Sequence, residues 1–191
     1  MPQRNRIDHE NVAMDSLVQS LRQACSDQHI EHKKVPRGQD PPDFWLTIDG
    51  NTFAVEETCI ADEASVRAVD IARKKGATGG SLGSKWEGEA RAELTELIDD
   101  AVRVKRSKLE AKGVSQRCQG SILLLYDAYG YGETEDAKVA LQNVPDYGWF
   151  HSIFWAASFS DRPNALYPEE PGRTGSFLYT KEDRWKAQPS R

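Results

Sequence analysis

Three carboxylates bracket one short apolar hairpin. In PPDFWLTIDGNTFAVEET, residues 41–58, Asp43 stands at one outer end and Glu56 with Glu57 at the other. Asp49-Gly50 between them tolerates positive φ, the strongest short-range hairpin signal. With these two as the loop, Ile48 faces Asn51 and, carried outward along both strands, Asp43 faces Glu56. The two acids then share a sheet face with Cβ atoms about 4.5–5.5 Å apart, and Glu57 points to the other face. A Gly50-Asn51 loop sets Asp43 opposite Thr58 with Glu56 on the diagonal, and a three-residue loop favours Glu57. Carboxylates that close repel, so in a half-buried site one takes up a proton or the pair shares a cation. Hard oxygen ligands at that spacing suit Mg²⁺ or Mn²⁺, bound through one or two carboxylates with several waters kept. Such an ion lowers the pKa of a bound water and offsets charge on a phosphoryl oxygen, which is phosphodiester chemistry. The plainer alternative is that Asp43 ends a turn and Glu56 is a solvated strand residue.

The elements that must position these acids are legible around them. From Asn11 to Cys25, Val12, Met14, Leu17, Val18, Leu21, Ala24 and Cys25 recur at three- and four-residue steps, predicting an amphipathic helix. An extended stretch over Ile30–Val35 leads through PRGQDPP into strands at Phe44–Ile48 and Thr52–Thr58, giving a sheet of at least three strands. The charged stretch ending in Arg73-Lys74-Lys75 is followed by GATGGSLGS, predicted as a flexible loop over about 76–84. A second helix is predicted over Lys85–Lys112, with Trp86, Ala90, Leu94, Leu97, Ile98, Ala101, Val102 and Leu109 on its apolar side and Gly113 as its stop. SILLLYDAY, from Ser121, suits a central strand buried on both faces. A short helix over Thr134–Asn143, an aromatic strand over Trp149–Phe159 and an edge strand at Ser176–Thr180 complete the order. The expected architecture is α/β: a mixed central sheet flanked by helices, one domain over 1–180 with a polar tail at 181–191.

Composition narrows the classes. A chain of 191 residues suits a single domain with a full core, and 38% apolar with 29% charged residues suits a folded one. The amino terminus MPQRNRIDHENV has no apolar h-region and no window nears the roughly 18 apolar residues of a membrane span, so neither export nor membrane anchoring is expected. Cys25, Cys59 and Cys118 are odd in number with no CxxC motif, which predicts reduced thiols and a cytoplasmic location. A formal net charge of −5 argues against a strongly basic nucleic-acid coat but leaves room for a local basic groove.

Helix, strand, Pro-Asp, hairpin, Glu-x-Lys-like triplet, helix and strand together resemble the PD-(D/E)xK nuclease superfamily, the restriction-endonuclease-like fold, over roughly residues 10–155. Pro42-Asp43 matches the first motif and Glu56-Glu57-Thr58 the second. The resemblance implies that Asp43 and Glu56 bind Mg²⁺ or Mn²⁺, helped by the Glu57 backbone carbonyl. It also implies a nucleic-acid substrate, DNA before RNA, and a homodimer if both strands are cut. Thr58 departs from the pattern, because it stands where the family has its lysine and a hydroxyl supplies no cation. Some members move that lysine to the following helix, and Lys105 and Lys108 stand in AVRVKRSKLE. Lys105 lies seven residues past Ile98 and four past Ala101, near the buried stripe, where it is a candidate catalytic ammonium or else a snorkelling helix-flank lysine. Glu10 matches the family's occasional helical acid and equally an ordinary helix-start acid.

Other signals are weaker. Gly79–Lys85 lacks the GxxxxGK[ST] spacing of a phosphate loop. His9, His29, His32 and His151 lack the spacing of a zinc site and an evident Ser or Cys partner, and are read as structural or exposed. Tyr126, Tyr129, Tyr131, Trp149 and Trp155 are candidates for base stacking, against an ordinary role in core or sheet surface. Three functions follow: a metal-dependent nuclease whose Arg73-Lys74-Lys75 and Arg103, Lys105, Arg106 and Lys108 grip the backbone, a degenerate member of the same fold serving as a nucleic-acid-binding or protein-interaction module, and an unrelated α/β protein with coincidental acids.

Overall fold

The computed structural model of the chain describes residues 9–36, 38–39, 41–60, 87–127, 132–157 and 163–167, with backbone alone at 9–11 and 87–91. Six strands form one sheet in the order of the sequence: β1 (Ile30–Lys34), β2 (Phe44–Ile48), β3 (Asn51–Cys59), β4 (Gly120–Asp127), β5 (Ser152–Ala157) and β6 (Asn164–Tyr167). β1, β2 and β3 pair antiparallel, β3, β4 and β5 parallel, and β5 with β6 antiparallel. The sheet is therefore mixed, with parallel strands at its centre. Helices α1 (His9–Ala24), α2 (Glu87–Ala111) and α3 (Thr134–Leu141) flank it.

The β2–β3 hairpin sets the register on which the site depends. Asp49 and Gly50 both take positive φ, 47° and 81°, the two left-handed residues that a type I′ turn requires. An Asp in that conformation is tolerable because its short side chain bonds nearby backbone, and here Asp49 Oδ1 accepts the His29 N–H at 2.8 Å while its own N–H donates to the His29 carbonyl at 2.9 Å. Ile48 pairs with Asn51 and Phe44 with Val55, the register of the two-residue Asp49-Gly50 loop. The alternatives of a Gly50-Asn51 or a three-residue loop are excluded.

Alternation along the strands divides the core in two. On one face Phe44, Leu46, Val55, Ile122, Leu124 and Phe154 pack beneath the Met14, Leu17, Val18 and Leu21 stripe of α1. On the other, Ala54, Leu123, Leu125, Ile153 and Trp155 pack beneath Leu94, Ile98, Val102 and Leu109 of α2 and the apolar side of α3. β3, β4 and β5 are thus covered on both faces, which is why β4 reads as an unbroken apolar run. Arg22 ties the end of α1 to the start of β1 through the Ile30 carbonyl, at 2.8 and 3.3 Å.

Two expectations need correction. The aromatic strand begins at Ser152 rather than Trp149, because Asp146 takes a left-handed φ of 59° and Tyr147–Trp149 form a 3₁₀ turn. β6 was not anticipated from the sequence: four residues after a proline carry too short a pattern to register. The Gly-rich loop at 76–84, the edge strand at Ser176–Thr180 and the tail at 181–191 lie outside the described residues. Among the described residues, no helix is long and apolar enough to cross a membrane. Cys25, Cys59 and Cys118 form no disulfide.

Candidate functional site

The site lies where β2 begins and β3 passes beyond it. Continuing the ladder one step past Phe44–Val55 brings Asp43 opposite Glu56, both on the α2 face. A further step sets Pro42 opposite Glu57, and proline has no N–H to continue the ladder. The Glu57 N–H donates instead to Asp43 Oδ2 at 2.9 Å, which fixes the Asp43 carboxylate beside β3. In a strand the N–H and carbonyl of one residue point to the same side, so the Glu57 carbonyl also faces the Asp43 side. The Glu57 side chain turns toward the α1 face and contributes no carboxylate to the pair.

Lys105 completes the cluster from above. Its position on the Ile98, Ala101, Val102 stripe aims it at the sheet, and its Nζ lies 2.7 Å from Glu56 Oε2 and 3.1 Å from Asp43 Oδ2. One turn on, Lys108 Nζ lies 3.5 Å from Glu56 Oε2 and 3.9 Å from Asp43 Oδ1. Side-chain exposure falls from 34% at Lys108 to 20% at Asp43, 15% at Lys105 and zero at Glu56, so the cluster runs from the surface inward. Lys105 is therefore no snorkelling flank residue, since its ammonium is the inner end of its side chain. Thr58, two residues past Glu56, shares the Glu56 face and is half-buried, so the helix supplies the charge that this strand position does not.

Burial shapes the electrostatics. Desolvation raises the Glu56 pKa above its ordinary value, and the neighbouring Asp43 adds to the rise against the opposing pull of Lys105 and Lys108. For Lys105 burial acts downward, but the Glu56 and Asp43 charges and hydrogen bonds outweigh it and hold the ammonium above its ordinary range. Lys105 is thus a fixed positive charge, while Glu56 is a carboxylate that its surroundings make reluctant to ionise.

Glu56 Oε1 is buried with no hydrogen-bond partner among the described residues. An orphaned carboxylate oxygen beside a second carboxylate fits a hard divalent ion, which needs only one or two carboxylates when water and a main-chain carbonyl fill the remaining positions. Asp43 and Glu56 are the two carboxylates that could hold such an ion, and the Glu57 carbonyl, on the same strand edge, could add a third oxygen. Among the described residues, no three His, Cys, Asp or Glu side chains converge as a metal-holding group, so the side-chain set stops at two.

The remaining candidates disperse. Arg103 pairs with Asp100, and Arg106 with Glu110 and Asp146 at 3.0 and 3.1 Å, its guanidinium lying over the Trp149 ring. The helix face expected to present four basic residues is therefore divided, with its lysines turned inward and its arginines already paired with acids. Periodicity could not reveal the Arg106–Asp146 pair, whose partners lie 40 residues apart. His29 is exposed beside Glu31, His32 pairs with Asp15, and His151 is buried against the Phe53 ring. Trp155 is fully buried core, which excludes it from base stacking, and Tyr126 packs against the α1-side core. Glu10 lies in α1, in a stretch described by backbone alone. Arg73-Lys74-Lys75, Gly79–Lys85, Tyr129 and Tyr131 lie outside the described residues. A cavity of about 580 Å³ lined by Gly50, Thr52 and residues 115–119 sits at the opposite, hairpin end of β3 and shares no residue with the carboxylates.

Compared with known proteins, the chain matches no family model, no curated protein and no solved structure.

Proposed function

We propose that the chain is a metal-dependent nuclease, with Asp43 and Glu56 holding Mg²⁺ or Mn²⁺ beside Lys105. One observation carries the reading: two carboxylates from adjacent strands and a lysine from a helix meet within hydrogen-bonding distance at a buried sheet end. The order of elements around that cluster and the Pro42-Asp43 and Glu56-Glu57-Thr58 motifs support a restriction-endonuclease-like core. When bound, the ion supplies a Lewis acid that lowers the pKa of a coordinated water and stabilises charge on a phosphoryl oxygen. Glu56 and Asp43 orient that ion, Asp43 being braced by the Glu57 N–H. Lys105 offers an ammonium to the attacking water or to a non-bridging phosphate oxygen, the part that Thr58 does not play. Lys108, the most exposed of the four, meets the incoming phosphate first. DNA is the favoured substrate, and cutting both strands would call for two copies of the chain.

A second reading has its own support. Lys105 and Lys108 together already balance both acids, as in a fold that has kept its architecture and given up chemistry, serving as a nucleic-acid-binding or protein-interaction module. Cleavage of plasmid DNA and of RNA in Mg²⁺ or Mn²⁺ separates the two. The nuclease reading expects cleavage that Glu56→Ala reduces by about 10²–10³-fold, the scale of losing a principal electrostatic group. Cleavage unchanged in Glu56→Ala excludes this site. Retarded nucleic acid without cleavage by the wild type selects the module.

A further inference from the structure

The ammonium of Lys105 bridges the two carboxylates that would hold a divalent ion. Its Nζ contacts one oxygen of each carboxylate, Glu56 Oε2 at 2.7 Å and Asp43 Oδ2 at 3.1 Å, and Lys108 adds a second positive charge at 3.5 Å from the same Glu56 oxygen. Two carboxylates and two ammoniums balance to no net formal charge, so the cluster as it stands gives an incoming cation little attraction. Glu56 is fully buried, and the side chains of Lys105 and Asp43 are largely so, which limits solvent screening between an ion and the ammonium. An ion held by Asp43 and Glu56 would lie close beside the Lys105 ammonium, so like-charge repulsion opposes its binding while Lys105 keeps its present position.

On the nuclease reading, we propose that Lys105 is an internal counter-ion competing with the divalent metal. Metal binding displaces its Nζ from Asp43 and Glu56, and the released ammonium then faces the phosphodiester. Lys105 is the competitor rather than Lys108, because it makes the shorter contacts to both acids and is the more buried. With the ion in place the cluster carries two surplus positive charges, complementary to anionic phosphates, so metal and nucleic acid strengthen each other's binding. Without substrate the metal affinity is held down by the protein's own lysine.

Calorimetric titration of Mn²⁺ into the wild type, Lys105→Met and Lys108→Met tests this. The expected result is tighter binding by Lys105→Met, by about tenfold, within the usual range for coupled sites, and a smaller gain for Lys108→Met. Binding by Lys105→Met that equals or falls below that of the wild type overturns the competition and leaves the nuclease reading standing. No Mn²⁺ binding by any form overturns both. A wild-type measurement covers the case in which Lys105→Met folds poorly. The Lys105 ammonium resonance, assigned by its loss in Lys105→Arg, is followed by NMR as Mg²⁺ is added. A marked shift or accelerated solvent exchange on saturation supports displacement, and an unchanged resonance at saturating Mg²⁺ refutes it.

Discussion

Helices α1 and α2 cover opposite faces of one sheet, and they do so with different chemistry. α1 presents Met14, Leu17, Val18 and Leu21 to strands whose facing side chains are mainly Phe44, Leu46, Val55, Ile122 and Leu124. α2 begins the same way with Leu94, Ile98 and Val102, then places Lys105 in the stripe before apolar contact resumes at Leu109. Beneath that lysine the strand answers with Glu56. A buried, charged pair contributes less to stability than apolar residues of the same volume because each ion must leave water, so packing alone does not account for the Lys105–Glu56 pair beneath α2.

Substitutions in the two stripes should therefore behave differently. Leu17→Ala, a fully buried α1 position, is expected to cost about 2–5 kcal/mol in urea unfolding, with little pH dependence. Lys105→Met is expected to cost about 3 kcal/mol near neutral pH, because it leaves Glu56 buried beside Asp43 with only the more distant Lys108. That loss should shrink as the solution is acidified and Glu56 takes up a proton, and an equal loss at all pH values would show that Lys105 acts by packing alone.

Glu56→Gln sharpens the same contrast through its sign. The folded pKa of Glu56 lies above the ordinary 4.5, so over the interval between them the native state binds more protons than the unfolded chain. The stability that Glu56 contributes is complete below 4.5 and declines as pH rises through the folded value. Urea unfolding of wild type and Glu56→Gln across that interval should show the wild type losing ground as pH increases, whereas a gain would mean that Lys105 overcompensates the burial. The smallest effect belongs to the periphery. Arg106→Ala removes a surface side chain paired with exposed or half-exposed acids, and it should lower the thermal unfolding midpoint least of these substitutions.

Much of the site was legible because it depends on local rules. Asp49-Gly50 carried the strongest hairpin signal among three possible loops, and the register of that two-residue turn sets Asp43 opposite Glu56. Helix periodicity set Lys105 near the buried stripe through its spacing from Ile98 and Ala101, and left open whether its ammonium turned inward or snorkelled outward. What was not legible depends on distant partners. Nothing near Arg106 announces Asp146, and nothing in Asn164–Tyr167 outweighs the brevity of a four-residue strand that joins β5 through an irregular register. The left-handed Asp146 that shortened the aromatic strand lacks the following glycine that marks Asp49 as a turn residue. The separate duties of the two lysines also escaped the sequence, because residues three apart on a helix share a face while their depth depends on the surface below.

Among the described residues the sheet ends at β1, whose IEHKK sequence exposes Glu31, Lys33 and Lys34. Charged side chains along a terminal strand, lysines above all, discourage a neighbouring molecule from docking its backbone there and lengthening the sheet without limit. A second copy of the chain would therefore gain little by extending the sheet along this rim.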